Sequence, residues 1–96
     1  MTEAELLALV LEACRALRLR AYHTGDSRGS QPGFPDLVIV GKRVLYRELK
    51  SQTGRLSPRQ TDWLCDLRSA GADAGIWRPE HWPAEITAEL QRLVRM

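Results

Sequence analysis

The sequence predicts an α/β domain: a small mixed sheet flanked by helices, with a core in the order αβββαβ followed by a C-terminal helix. Three observations carry this expectation. Apolar residues recur at helical spacing over residues 3–17 and again after residue 57. Two apolar runs, 36–40 and 43–50, are separated only by Gly41-Lys42, as in a hairpin. A third short run, 74–78, is cut off by Pro79.

Each element has its own local reason. Leu6, Leu7, Val10, Leu11, Cys14 and Leu17 form the stripe of the first helix, and Thr2 with Glu5 fits a capping box at its start. Residues 19–24 alternate around Tyr22 and suggest a short strand. Residues 25–35 hold three glycines, two prolines and two serines, a loop by composition. Residues 36–40 are densely β-branched, as in a strand buried on both faces. Residues 43–50 form its partner. Ser57, Pro58 and Gln60 then mark a helix start, with Ser at the cap, Pro in the first turn and Gln closing the box. Trp63, Leu64, Leu67 and Ala70 give that helix its apolar face, and Gly71 can end it. Pro83 opens the last helix, with Ile86, Leu90, Leu93 and Val94 on one side.

The 96 residues are expected to make one domain over 1–96, with a modest core that buries about two-thirds of the unfolded surface. An apolar fraction of 44% with 27% charged residues excludes a disordered chain. Fourteen basic against 12 acidic residues leave a net charge of +2, too balanced to prove nucleic-acid binding. Acids committed to a metal would leave the remaining surface more basic. Cys14 and Cys65 each sit in a helical apolar pattern and read as reduced core thiols of a cytoplasmic protein. No apolar run approaches the ~18 residues of a membrane span, and no signal peptide is recognisable.

The chemistry lies in Pro35-Asp36 and Glu48-Leu49-Lys50. Residues two apart in a strand share a face, so Val44, Tyr46, Glu48 and Lys50 point one way and Leu45, Arg47 and Leu49 the other. Glu48 and Lys50 are thus about 7 Å apart on one face. Hairpin pairing brings the start of the first strand beside the end of the second, so Asp36 can meet Glu48. Two carboxylates suit a hard divalent cation, with the Leu49 carbonyl as a third oxygen. A lysine beside them can orient a water and neutralise charge developing on a phosphate. Pro-Asp turns and Glu-x-Lys pairs also occur on plain surfaces. Their combination at hairpin spacing, behind a glycine-rich loop, is what points to chemistry.

These residues resemble the PD-(D/E)XK signature of restriction-endonuclease-like proteins. The strings Gly33-Phe34-Pro35-Asp36-Leu37, Glu48-Leu49-Lys50, Gly54-Arg55-Leu56-Ser57-Pro58-Arg59-Gln60 and Trp77-Arg78-Pro79 are similar to the small stand-alone VRR-Nuc nucleases of phages and bacteria. The similarity covers nearly the whole chain. It implies a restriction-endonuclease-like fold, Mg²⁺ dependence with Mn²⁺ as a substitute, and cleavage of DNA. It further implies a homodimer acting on branched DNA, four-way junctions above all, in the cytoplasm of a bacterium or a phage-infected host. By the same resemblance Asp36 and Glu48 are metal ligands, Lys50 the catalytic lysine, and Gln60 a residue near the site. Gln60 can equally complete the helix cap, and both roles can hold. The family's first-helix glutamate corresponds to Glu5 or Glu12, and counting back from the first strand favours Glu5.

His23 and Arg28 fall in a polar stretch similar to that of the phage proteins and are candidates for phosphate contact. Arg55 and Arg59 are DNA-backbone candidates as well, followed by Arg47, Lys42 and Arg43. The sequence-level expectation is therefore a metal-dependent, structure-specific DNA endonuclease. Flap, nicking or restriction-like nucleases, and a DNA-binding module without catalysis, are the rival readings.

Overall fold

The apolar stripe of the first segment folds as α1 (Glu3–Ala16), with Thr2 and Glu5 closing the expected capping box. The strands are β1 (Arg20–His23), β2 (Leu37–Val40), β3 (Val44–Leu49) and β4 (Asp73–Trp77). Helix α2 (Pro58–Ser69) is capped reciprocally by Ser57 and Gln60, and α3 (Ala84–Gln91) follows a single 3₁₀ turn at Pro79–His81. The computed structural model describes residues 1–24 and 31–95.

The four strands form one sheet in the order β1-β2-β3-β4. The first three are antiparallel neighbours, and β4 returns through α2 to lie parallel to β3. A parallel pair needs such a crossover, and α2 supplies it. The β2–β3 register sets Val40 against Val44 and Leu37 against Arg47. One step further along the same register puts Asp36 opposite Glu48.

Side-chain parity divides the sheet. Leu37, Ile39, Leu45, Leu49 and Trp77 face the main core, where Leu6, Val10 and Cys14 of α1 meet Ile86 and Leu90 of α3. The opposite face carries Tyr46 and Glu48 and is covered by α2. There Phe34 stands edge-on to both Tyr46 and Trp63, with centroids 6.2 and 5.0 Å apart. Such aromatic edges fix orientation as well as burying area.

Three expectations are corrected. β2 is buried on one face only: Leu37 and Ile39 are enclosed, whereas Val38 and Val40 are half-buried, because α2 lies over β4 instead. Cys14 is a core thiol, pushed up to about 11 by burial, but Cys65 is exposed on the outer side of α2. Arg47 is no DNA contact. Its parity puts it on the core face, 4% exposed, where it binds Asp73 at 2.8 Å and Glu89 at 2.9 Å and lies over Trp77.

The β2–β3 connection is Gly41-Lys42-Arg43, with the Gly41 amide donating to the Arg43 carbonyl at 3.0 Å. The chain after α3 seats on this turn. Lys42 N–H donates to the Leu93 carbonyl at 2.8 Å, and Arg95 donates twice to the Gly41 carbonyl, at 3.0 and 2.7 Å. A Cβ at Gly41 would collide with the Leu93 carbonyl oxygen and come within 2.9 Å of Leu93 Cβ. Gly41→Ala is therefore expected to cost about 1–3 kcal/mol of stability, as overpacking does. Urea unfolding reads this as a lowered midpoint, and an unchanged midpoint would mean that the tail is not seated on the turn.

Candidate active site

The end of the hairpin remote from that turn gathers the polar residues. Asp36 is aimed by the loop that precedes it. Gly33 adopts φ +92°, a conformation that favours glycine, and a Cβ there would lie 2.7 Å from the Arg59 carbonyl carbon. Trp63 Nε1 donates to the Pro32 carbonyl at 3.2 Å. From the other side Thr24 N–H donates to the Asp36 carbonyl and Thr24 Oγ1 to the Pro35 carbonyl, at 2.8 and 3.0 Å. The Gly-Phe-Pro lead-in is thus clamped between α2 and the end of β1. Asp36 Oδ2 then accepts from the Leu49 amide at 2.8 Å, which ties its carboxylate to β3 beside Glu48.

Glu48 is 2% exposed. Its Oε2 accepts from Gln60 Nε2 at 3.0 Å and lies 3.7 Å from Lys50 Nζ. Its Oε1 is buried and has no hydrogen-bond partner among the described residues. Burial pushes the Glu48 carboxyl up to about 8, and the neighbouring Asp36 carboxylate adds to the rise. Lys50 opposes it, and Glu3 contributes a smaller upward push. Gln60 makes two sets of contacts. Its backbone and side-chain oxygen cap Ser57, and its amide nitrogen reaches Glu48. Behind Lys50, Arg78 Nη1 donates to the carbonyls of Ser51 and Gly54, each at 2.7 Å, and fixes the turn that follows the motif.

Among the described residues, no three His, Cys, Asp or Glu side chains gather closely enough to form a metal cluster. The acids stand as a pair. A cation fits that pair, because a buried carboxylate oxygen without a partner beside a second carboxylate is costly until a positive charge joins it.

The first-helix candidate is corrected. Glu5 is exposed and its carboxylate accepts from Thr2 N–H at 3.0 Å, so it caps the helix instead of facing the acids. Glu12 is exposed as well. Glu3 lines a cleft of about 260 Å³ with Leu7, His23, Asp36 and Leu49. Glu3 is exposed too, but it lies four residues before the half-buried Leu7 and so shares the side of α1 that borders the cleft. His23 lines the same cleft. Arg55 and Arg59 are exposed beside the start of α2. Arg28 lies outside the described residues.

A paired-carboxylate hairpin in a mixed sheet, backed by helices on both faces, defines the restriction-endonuclease-like class of fold. A solved structure described as a VRR_NUC domain protein superposes with a TM-score of 0.71 over 98% of this chain and 88% of that one, at 20% identity. Hjc, a Holliday junction resolvase from the archaeal hyperthermophile Archaeoglobus fulgidus, matches with a TM-score of 0.49 and 27% identity over 80% of this chain. The present chain spans 65% of that resolvase. No curated protein matches the sequence. The family model for the VRR-NUC domain matches residues 2–79, and the chain belongs to that family of nucleases. No helix among the described residues is long and apolar enough to cross a membrane.

Proposed function

We propose that this nuclease is a metal-dependent DNA endonuclease that cuts branched DNA, four-way junctions foremost, as a homodimer. The observation that carries the reading is the buried, unpartnered Oε1 of Glu48 beside Asp36 and Lys50. Asp36, Glu48 and the Leu49 carbonyl would hold Mg²⁺ or Mn²⁺, and Glu3, at the edge of the same cleft, is the first-helix acid that faces them in place of Glu5. When bound, such a cation polarises a phosphoryl oxygen and acidifies a water.

The chain's own residues do the rest. Glu48 gives up its proton when the site is loaded. Gln60 keeps the Glu48 carboxylate in place through Oε2. Lys50 orients the attacking water and offsets negative charge gathering on the phosphoryl oxygens. In-line attack forms the new P–O bond and breaks the bond to the 3′ oxygen, which takes up a proton. The products are a 5′-phosphate and a 3′-hydroxyl. His23, Arg55 and Arg59 are placed in this reading as phosphate contacts around the scissile strand. A junction with two-fold symmetry needs two symmetric cuts, and one chain has one site, so a C2 dimer is the economical assembly.

The test is a labelled four-way junction incubated with Mg²⁺ and either wild type, Asp36→Ala or Lys50→Ala. Wild type is expected to cut, and Lys50→Ala to be slower by about 10²–10³-fold, the scale of losing one transition-state donor. Equal cleavage by all three, or binding without product by wild type, would overturn the assignment. Flaps, nicked duplexes and intact duplexes run alongside would show which DNA structure is preferred, and sedimentation would give the stoichiometry.

A further inference from the structure

The far end of the molecule carries a second basic feature. A cleft of about 530 Å³ opens beside the β2–β3 turn, bordered by Val40 and Gly41 and lined by Arg18, Arg20 and Arg95, with no carboxylate side chain among the described residues that line it. The three arginines come from separate places in the chain: the end of α1, the start of β1 and the segment after α3. The β1–β2 register sets Arg20 against Val40 and His23 against Leu37, so Arg20 and His23 mark opposite ends of the sheet. Helix α1 runs between the same two ends, with Glu3 at the acidic end and Leu17, just past its C-terminus, lining the cleft. At 1.5 Å per residue the two ends are about 20 Å apart.

Arg18 has φ +58°. It follows the C-cap of α1, where Leu19 N–H returns to the Cys14 carbonyl at 2.9 Å. Glycine is the favoured residue in that conformation, and an arginine there is strained. Arg15 in the last turn of α1 already complements the helix C-terminus, so charge balance at that end does not call for Arg18 or Arg20.

We propose that this arginine cleft is a second contact for the phosphate backbone of a DNA duplex, roughly four to six base pairs from the scissile phosphate at ~3.4 Å per base pair. The proposal rests on the DNA-nuclease reading above. Guanidinium forks match phosphate oxygens without reading bases, which suits an enzyme that selects DNA by shape. A contact at this distance would grip one arm while the acidic end engages the cut site.

The experiment measures binding of a labelled four-way junction, without divalent cation, across a salt series. The proteins are wild type, Arg18→Gly and the double variant Arg18→Gln/Arg20→Gln. Arg95 is left intact because it anchors the Gly41 carbonyl. The double variant is expected to bind at least about tenfold more weakly near 0.1 M salt, with a log–log salt slope smaller by about two units. Arg18→Gly should lose about one unit of slope and yet melt at a higher temperature than wild type, an outcome that damage to the fold cannot produce. Single-turnover cleavage with Mg²⁺ at saturating protein should be unchanged in both. Wild-type affinity and slope in both variants would overturn the proposal. If wild type cuts while the variants bind like it, only this inference falls. If wild type never cuts but the slopes still drop, the nuclease reading falls and the cleft stands. A wild type that binds no DNA sinks both.

Discussion

Asp36→Asn is expected to reduce cleavage by about 10³-fold or more while raising the melting temperature at pH 8. The asparagine oxygen can still accept from the Leu49 amide, so the loop and hairpin keep their connection. What disappears is one negative charge beside a buried acid. The catalytic loss is large because the remaining carboxylate offers a cation a single anchor, and transition-state stabilisation is the steepest function of such charge. The stability gain has the opposite origin. Asp36 is one reason the Glu48 carboxyl is held near 8, after burial itself. Glu48 has a folded value above its unfolded one, so the native state holds the proton more tightly. The metal-free protein therefore loses stability as pH rises from the ordinary carboxylate range to about 8, and removing Asp36 relieves part of that loss. A gain of ~1 kcal/mol corresponds to about 4–8 °C in a domain of this size. At a pH below the unfolded value of Glu48, where both states hold its proton, the difference should vanish. Scanning calorimetry at acid and alkaline pH, paired with junction cleavage, reads both effects. An asparagine variant that cuts like wild type, or melts lower at pH 8, would contradict the arrangement.

The second large effect is the pH dependence of metal affinity. A cation requires the charged form of Glu48, whereas the metal-free protein keeps Glu48 protonated below about 8. Mn²⁺ affinity should fall about tenfold for each pH unit below that value, roughly a hundredfold between pH 8 and pH 6. Near pH 6.5, titration calorimetry in buffers of different ionisation heat should find close to one proton released per ion bound. Affinity that is flat over this range, or binding without proton release, would mean that Glu48 is not a ligand.

Much of this site was legible in the sequence because strand parity and hairpin register are local rules. Gly41-Lys42 marked the turn to within one residue, and parity then put Glu48 and Lys50 together and Asp36 opposite. Gln60 was legible because one residue type satisfied two patterns, a capping box and a place near the motif. The first-helix acid was misread for a physical reason. A helical pattern shows which stripe is buried, but not how far the helix start reaches over its neighbour, and the capping box claimed Glu5. Arg47 was a failure of weighting: its alternation with Leu45 and Leu49 already put it on the buried face, yet a charge suggested the surface. Cys65 went wrong the other way. Its apolar neighbours on α2 are few, and only Leu64 of that helix is fully buried. The clamp of Arg78 on Ser51 and Gly54 joins residues 24 or more apart in the chain, and no local pattern announces such a contact.

Gln60 ties two events that most proteins keep separate. Helix ends fray readily, since their first amides depend on caps for partners. Here the side chain that closes the first turn of α2 also grips the buried Glu48 carboxylate. Opening that turn would release Glu48, and locking Glu48 in place would in turn stiffen the helix start. The reactive acid and the beginning of α2 therefore behave as one cooperative unit. The part of a helix most prone to loosen is moored to the most enclosed acid in the sheet.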